Sequence, residues 1–445
     1  MRDIALTLIF FGALTYVFSR PYIGIYLWTW LSLMNPHRLT YGFAFTFPFA
    51  QIVALATLAS MLVSKEPKRL PWTRETVVML VFILWMLFTT VFAMYPELAW
   101  EQWNKVWKIM LMVYITLMLI NSRQKLDWLL WVIVVSLGLY GVKGGIFTIL
   151  TGGSFRVQGP LGSFISGNNE MGLALIMIIP LMRYLHLQAT HVYIRHGLMA
   201  AMVLTGIAAI GTQSRGALVG MAVMGIFLAW KSRNRLFILL AVAVVAGSVV
   251  SIMPQEWHDR MASIKNYEED DSAQGRLHAW ATAFNVAKHR ITGGGYEAFQ
   301  PGLYYLYGRH DRKLSSTDAH SIYFEIMGEH GFIGFALFML LAWFTWNTGS
   351  RIRRLARRTP ETGWGYDMAS MLQVSLMGYA SGGAFLGLAY FDLYYTLIAV
   401  MVICSLLVRE QVAAAQAVES APVSGSGGPE IRGSPDIQGF NRTFR

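Results

Sequence analysis

Apolar runs of about 17–22 residues recur along the whole 445-residue chain, and nothing else in it constrains the fold as strongly. Each is long enough to cross the roughly 30 Å hydrocarbon core of a bilayer as a helix. Helices suit that environment because they satisfy their own backbone hydrogen bonds. The composition agrees: 55% of the residues are hydrophobic and 14% charged, where a soluble domain carries roughly 25% charged residues. The expected fold is therefore all-α, a polytopic transmembrane helical bundle of 12 or 13 spans. One integrated membrane domain is expected over residues 1–410, followed by a tail from 411 to 445. That tail is rich in Ala, Ser, Gly and Pro and is expected to be disordered.

Hydropathy and length place spans at about 4–18, 22–34, 43–63, 75–94, 106–120, 127–150, 170–187, 197–211, 216–230, 235–253, 331–348, 368–388 and 391–408. One set of loops holds Lys65, Lys68, Arg69 and Arg74, then Arg123 and Lys125, then Arg183 and Arg195. Lys231, Arg233 and Arg235 follow, and Arg351, Arg353, Arg354, Arg357 and Arg358 complete it. These loops alternate with others around 95–104, 151–169, 212–215, 254–320 and 389–390. The positive-inside rule makes the basic set cytoplasmic and turns the second set outward, with the C-terminus inside. The side of the N-terminus depends on whether 4–18 and 22–34 are two spans or one broken element.

Several function classes drop out. The single cysteine, Cys404, excludes an intramolecular disulfide and a thiolate metal cluster. The formal charge of +11 is accompanied by no recognised nucleic-acid module, and its placement is explained by topology, so no nucleic-acid partner is expected. No cleavable signal peptide is expected, because the first apolar run lacks a small-residue cleavage site and meets Arg20-Pro21 at once. No internal repeat is evident. No Asp-x-Asp pair or paired-histidine spacing calls for a metal, and the run Glu268-Glu269-Asp270-Asp271 reads as a solvated loop.

The residues that can carry chemistry lie in the outward set. The loop from about 254 to 320 is too long for a connector. It holds a helix-like stretch from Gly275 to His289 and a glycine cluster, Gly293-Gly294-Gly295. Arg215 sits in Thr212-Gln213-Ser214-Arg215-Gly216, a tight turn where topology disfavours arginine. It reads as an anion clamp or as an anchor to lipid headgroups. Arg156 lies in the glycine-rich loop Gly153–Gly162, which leads through Asn168 and Asn169 into the next span. It is either a second anion contact or a solvated loop arginine. Lys143, between Gly141 and Gly144, lies about 10 Å below the outer surface at 1.5 Å per residue, and reads equally as a snorkelling side chain. Arg276 precedes Trp280 by one turn, which puts the two on one helix face.

His320-Ser321, nine residues, Gly331 and then Gly334 form the most informative motif, at the point where the long loop gives way to a span. Asp318 or Ser321 is placed to cap a helix starting there. A neutral imidazole accepts a proton from a sugar hydroxyl near pH 7; the plainer reading is an interfacial histidine that only hydrogen-bonds. His330 shows no comparable context.

These residues resemble the histidine motif of bacterial O-antigen ligases, which share a superfamily with O-antigen polymerases. Ser214-Arg215-Gly216 and Gly275-Arg276…Trp280…Gly293-Gly294-Gly295 are similar to the same pattern. Arg20-Pro-Tyr-Ile-Gly…Met34-Asn-Pro-His37-Arg38 resembles the exosortase-associated O-glycosylation ligase subgroup. The resemblance implies transfer of a glycan from undecaprenyl diphosphate to a sugar of lipid A–core on the periplasmic face of the inner membrane, with no metal or nucleotide cofactor. It implies His320 as the base and Arg215 and Arg276 as diphosphate ligands. Arg156 is added from the bottom-up reading, with Lys143, Asn169, Ser321 and Trp280 as supporting residues. The imidazole and guanidinium groups are expected around one outward cavity. A polymerase and a protein O-oligosaccharyltransferase share the donor chemistry and differ in the acceptor. A transporter of lipid-linked polysaccharide is the non-enzyme alternative; the candidates' clustering on one face and the lack of paired broken helices count against it.

Overall fold

A computed structural model of the chain describes residues 1–231, 271–309 and 318–420, and isolated positions between 236 and 258. The described part is a helical bundle. Its helices are α1 (Arg2–Ser19), α2 (Tyr22–Met34), α3 (Phe49–Val63), α4 (Arg74–Val91), α5 (Pro96–Leu119), α6 (Arg123–Leu150), α7 (Asn168–Gln188), α8 (Val192–Gly211) and α9 (Arg215–Lys231). Then come α10 (Asp271–His289), α11 (Pro301–Tyr307), α12 (Ile322–Leu355), α13 (Gly363–Gly382) and α14 (Asp392–Ser420). No strand occurs among the described residues.

Seven of these helices are long and apolar enough to cross a membrane: α1, α4, α6, α7, α8, α12 and α14. Helices α2, α3 and α9 are apolar but shorter, and α5 and α13 coincide with two further expected spans. The chain is thus a multi-pass membrane protein. Only isolated positions of the expected span at 235–253 are described, and residues 268–270 of the acidic run lie outside the described residues, as do residues 421–445. Helix α14 runs to Ser420, ten residues past the expected boundary at 410, so the start of the expected disordered tail is helical.

The basic loops meet at one end of the bundle. Lys125 Nζ pairs with Glu66 Oε2 at 3.1 Å. Arg123 Nη2 donates to Gln188 Oε1 at 3.1 Å, and Gln188 Nε2 donates to Asp367 Oδ2 at 3.0 Å. The opposite end carries the candidate residues. It also carries the N-terminus: Asp3 Oδ1 accepts from the N–H groups of Gly42 and Ala44, at 3.0 and 3.2 Å. The two first apolar runs are therefore separate helices, with their connection, Arg20-Pro21, at the basic end.

Close helix packing positions the candidate end. Lipid tails give helices little hydrophobic reason to associate, so small residues that let backbones approach take over. Helix α6 carries Gly138, Gly141 and Gly145 at i, i+3 and i+7. A Cβ on Gly138 would meet the Met182 side chain of α7 at 2.9 Å, and those on Gly141 and Gly145 would run into Thr205 and the Leu204 backbone of α8. This contact fixes the upper end of α8, and hence the 212–214 turn. Lys143 lies on α6 with its side chain exposed.

Helix α12 is broken. Gly331 has φ 68° and ψ −173°, so 322–330 and 332–355 are two helical segments. The break frees carbonyls that lipid cannot satisfy. The glycine cluster satisfies them: Gly294 N–H donates to Gly328 O and Gly295 N–H to Glu329 O, both at 2.8 Å. Trp85 Nε1 donates to His330 O at 2.9 Å. A Cβ on Gly293 would stand 2.6 Å from the backbone of Glu329 and Gly331, so this approach requires glycine.

Candidate active site

Three residues before α12 build the core of the site. Asp318 Oδ1 accepts the backbone N–H of His320 at 3.0 Å, and Oδ2 lies 3.1 Å from His320 Nδ1. His320 holds φ 49°, a left-handed conformation that a non-glycine residue adopts at some cost. With Nδ1–H given to the carboxylate, Nε2 keeps its lone pair. That is the tautomer a base needs. Both side chains stay partly open to solvent, at 39% and 34% exposure. The expected capping role is not what the structure shows. Asp318 serves His320, and Ser321, the N-cap residue of α12, makes no side-chain cap; its buried hydroxyl has no partner among the described residues.

Trp280 braces this segment. Its Nε1 donates to Ala319 O at 2.9 Å, and its ring stacks on Phe324 at 5.0 Å and 11°. One indole face is therefore taken by an aromatic ring; Trp280 aligns the residues before His320. Arg276 lies half-buried one turn earlier on α10.

The arginine-bearing turn ends at the same side. Gln213 has φ 55°; its Nε2 donates to Gly153 O at 3.0 Å and its Oε1 accepts from Arg156 Nε at 3.3 Å. Arg156, on its exposed loop, is thus tied to the turn two residues before Arg215, which lies half-buried at the start of α9. Asn168 Nδ2 donates to Thr212 O at 2.8 Å, so Asn168 rather than Asn169 ties α7 to the turn. Two residues on, Glu170 lies within electrostatic reach of Asp318 and His320. Gly216 backs onto Phe385, whose ring is 6.4 Å from Trp280. The turn, the head of α7, α10 and the 318–321 segment therefore meet at one end. Exposed Lys143 is not brought among them by any contact.

A cavity lies beside this segment. It has a volume of about 290 Å³, and its acidic lining is Glu170, Glu297, Asp318, Glu325 and Glu329. None of Arg156, Arg215 and Arg276 lines it. A diphosphate in that space would face carboxylates, so any anion contact belongs on the arginine side of the turn. Among the described residues no group of three or more His, Cys, Asp or Glu is arranged to hold a metal ion.

Beneath the cavity runs a buried chain of hydrogen bonds. Glu329 Oε1 accepts from Glu297 N–H at 2.7 Å. Tyr390 Oη lies 2.5 Å from Glu329 Oε2 and 2.8 Å from His330 Nε2, while His330 Nδ1 lies 2.6 Å from Thr89 Oγ1. Tyr390 has one hydroxyl proton for two neighbours, so the neighbour it does not serve must donate to it. His330, without evident context in sequence, is fully buried and central to this chain. Glu325 and Glu329 were also passed over. The available signal was two carboxylates at i and i+4 beside an apolar span, where ionisable groups are seldom idle.

The carboxyl of Glu297 is raised above its usual value, first by burial, with Asp318 and Glu101 adding and Lys105 opposing. At the same end, His37 is lowered to about 4 by burial and by Arg38 beside it.

No curated protein matches the chain. Residues 1–190 match a family of unknown function. Residues 200–339, which hold Arg215, Arg276, Trp280 and the whole histidine motif, match the family described as O-Antigen ligase, and this match supports the O-antigen ligase superfamily.

Proposed function

We propose that the protein is a glycan ligase that uses a lipid diphosphate-linked donor, with undecaprenyl diphosphate as the carrier. The observation that carries this reading is the Asp318–His320 pair, set at the end of the bundle where the Arg156–Gln213–Arg215 turn also lies. An acceptor hydroxyl attacks the anomeric carbon of the donor sugar. Its proton passes to His320 Nε2, the bond from that carbon to the diphosphate oxygen breaks, and the diphosphate leaves with the electron pair. Arg215, Arg276 and Arg156 stabilise the charge that grows on the leaving group, an interaction stronger in the transition state than before it. Direct displacement inverts the anomeric configuration.

The positive-inside rule supports placing this end at the periplasmic face of a bacterial inner membrane, with the C-terminus cytoplasmic. A lipid A–core sugar is the acceptor that the O-antigen ligase resemblance favours, within the exosortase-associated subgroup. The carboxylate-lined cavity favours an acceptor without acidic groups. It therefore keeps a polymerase acting on a second lipid-linked glycan, or a protein O-oligosaccharyltransferase, as the second reading.

The test supplies lipid-linked donor to membranes carrying the full chain and follows label into lipid A–core, glycan or protein. A general base contributes typically 10²–10⁴-fold, so His320→Ala should lose about that much transfer while retaining donor. Wild-type transfer by that variant would remove His320 as the base. Arg215→Lys should also be impaired, since an ammonium does not reproduce the guanidinium fork; full activity would demote Arg215 to a headgroup anchor.

A further inference from the structure

We infer that the acidic cavity is a subsite for a sugar residue bearing hydroxyl or amino groups and no acidic group. That its occupant is the acceptor rests on the reading above; that it takes such a sugar does not. Five carboxyl groups and no lysine or arginine line about 290 Å³, so a phosphate, sulfate or uronic acid would find no cationic partner there. The same groups hydrogen-bond hydroxyl and amino groups whether or not they carry a charge.

A second observation points to a ligand independently of the acids. Gln102 of α5 lines the cavity and is 9% exposed, and its side-chain amide makes no hydrogen bond among the described residues. Its NH₂ and C=O together match a hydroxyl, which donates and accepts at once. Phe164 and Phe299 add apolar wall to the same space, suited to the C–H face of a pyranose. The volume is at the low end for small-molecule pockets, about 300–1,000 Å³, which fits a single residue rather than a chain. Asp318 lines the cavity and holds His320 with its carboxylate, so a hydroxyl of the bound sugar would stand near the imidazole.

The test is saturation-transfer NMR on the full chain in lipid nanodiscs, with methyl glucoside, methyl glucosaminide and methyl glucuronide as probes. The first two should receive saturation and the glucuronide should not. Gln102→Leu and the isosteric Glu297→Gln should each weaken glucoside binding by about tenfold, the loss expected for one good hydrogen bond. Equal signals from glucoside and glucuronide, no signal from any glycoside at millimolar concentration, or unchanged binding in both variants would each overturn the proposal. The wild-type comparison needs no variant to fold. Sugar binding that persists while lipid-linked donor is never turned over would instead sink the ligase reading and leave the subsite standing.

Discussion

At the scale of single residues, Asp318 and Tyr390 do most to define the site. Asp318→Asn keeps the shape of the His320 contact but loses the charge that opposes a developing imidazolium. Transfer should fall by about 10–100-fold, the usual cost of removing an orienting partner; donor-saturated rates check this. Tyr390→Phe leaves Glu329 Oε2 and His330 Nε2 without a partner. Each orphaned buried group costs about 1–3 kcal/mol, so thermal melting should show a clear drop while the bundle still forms. Glu297 gives a pH signature. The unfolded chain ionises at the usual value of 4.5 and the folded one only at higher pH, so stability falls as pH rises through that interval. Glu297→Gln should remove that part of the fall, seen by comparing denaturant midpoints at acidic and neutral pH. Sequence made His320, Arg215 and Trp280 visible, because each breaks a local expectation of the chain around it. It did not reveal the Asp318–His320 pairing, which depends on one backbone angle, nor the Glu329–Tyr390–His330 chain, whose members meet across some sixty residues.

At the scale of elements, the broken helix α12 and the glycine cluster form one device. Gly331→Ala puts a β-carbon at φ 68° and into the Ile291 carbonyl. Strained backbone of this kind costs about 1–3 kcal/mol, and the loss should appear as lower thermal stability and faster proteolysis within 290–330. The positions of the helices were largely legible, since apolar length is a local property. The break was not: 331–348 reads as a complete span and a helix start is expected at 318–321, while Glu325, Glu329 and His330 between them interrupt the apolar pattern. Tertiary hydrogen bonds decide that those polar residues fold inward as helix. The continuation of α14 past residue 410 has a simpler cause. Val412 to Val418 is alanine-rich, and alanine is the strongest helix former, which the broader composition of the tail obscured.

At the scale of the whole molecule, the bundle has one basic end and one end that carries the candidate site and the N-terminus. Cys404 is fully buried, so single cysteines introduced elsewhere report cleanly. Ser154→Cys should react with an impermeant maleimide added to intact spheroplasts, and Ser19→Cys should react only after the membrane is opened. The reverse pattern would invert the topology and place the histidine motif in the cytoplasm. Charge alternation made this polarity legible; the side of the N-terminus needed the Asp3 contact with Gly42 and Ala44. The carbonyls freed at Gly331 also bear on engineering. Because Gly294 and Gly295 supply donors from a different part of the sequence, the two segments behave as a single inherited part. A chimera that grafts the histidine motif from a relative without its matching glycine triplet should misassemble, and exchanging both together should restore the fold.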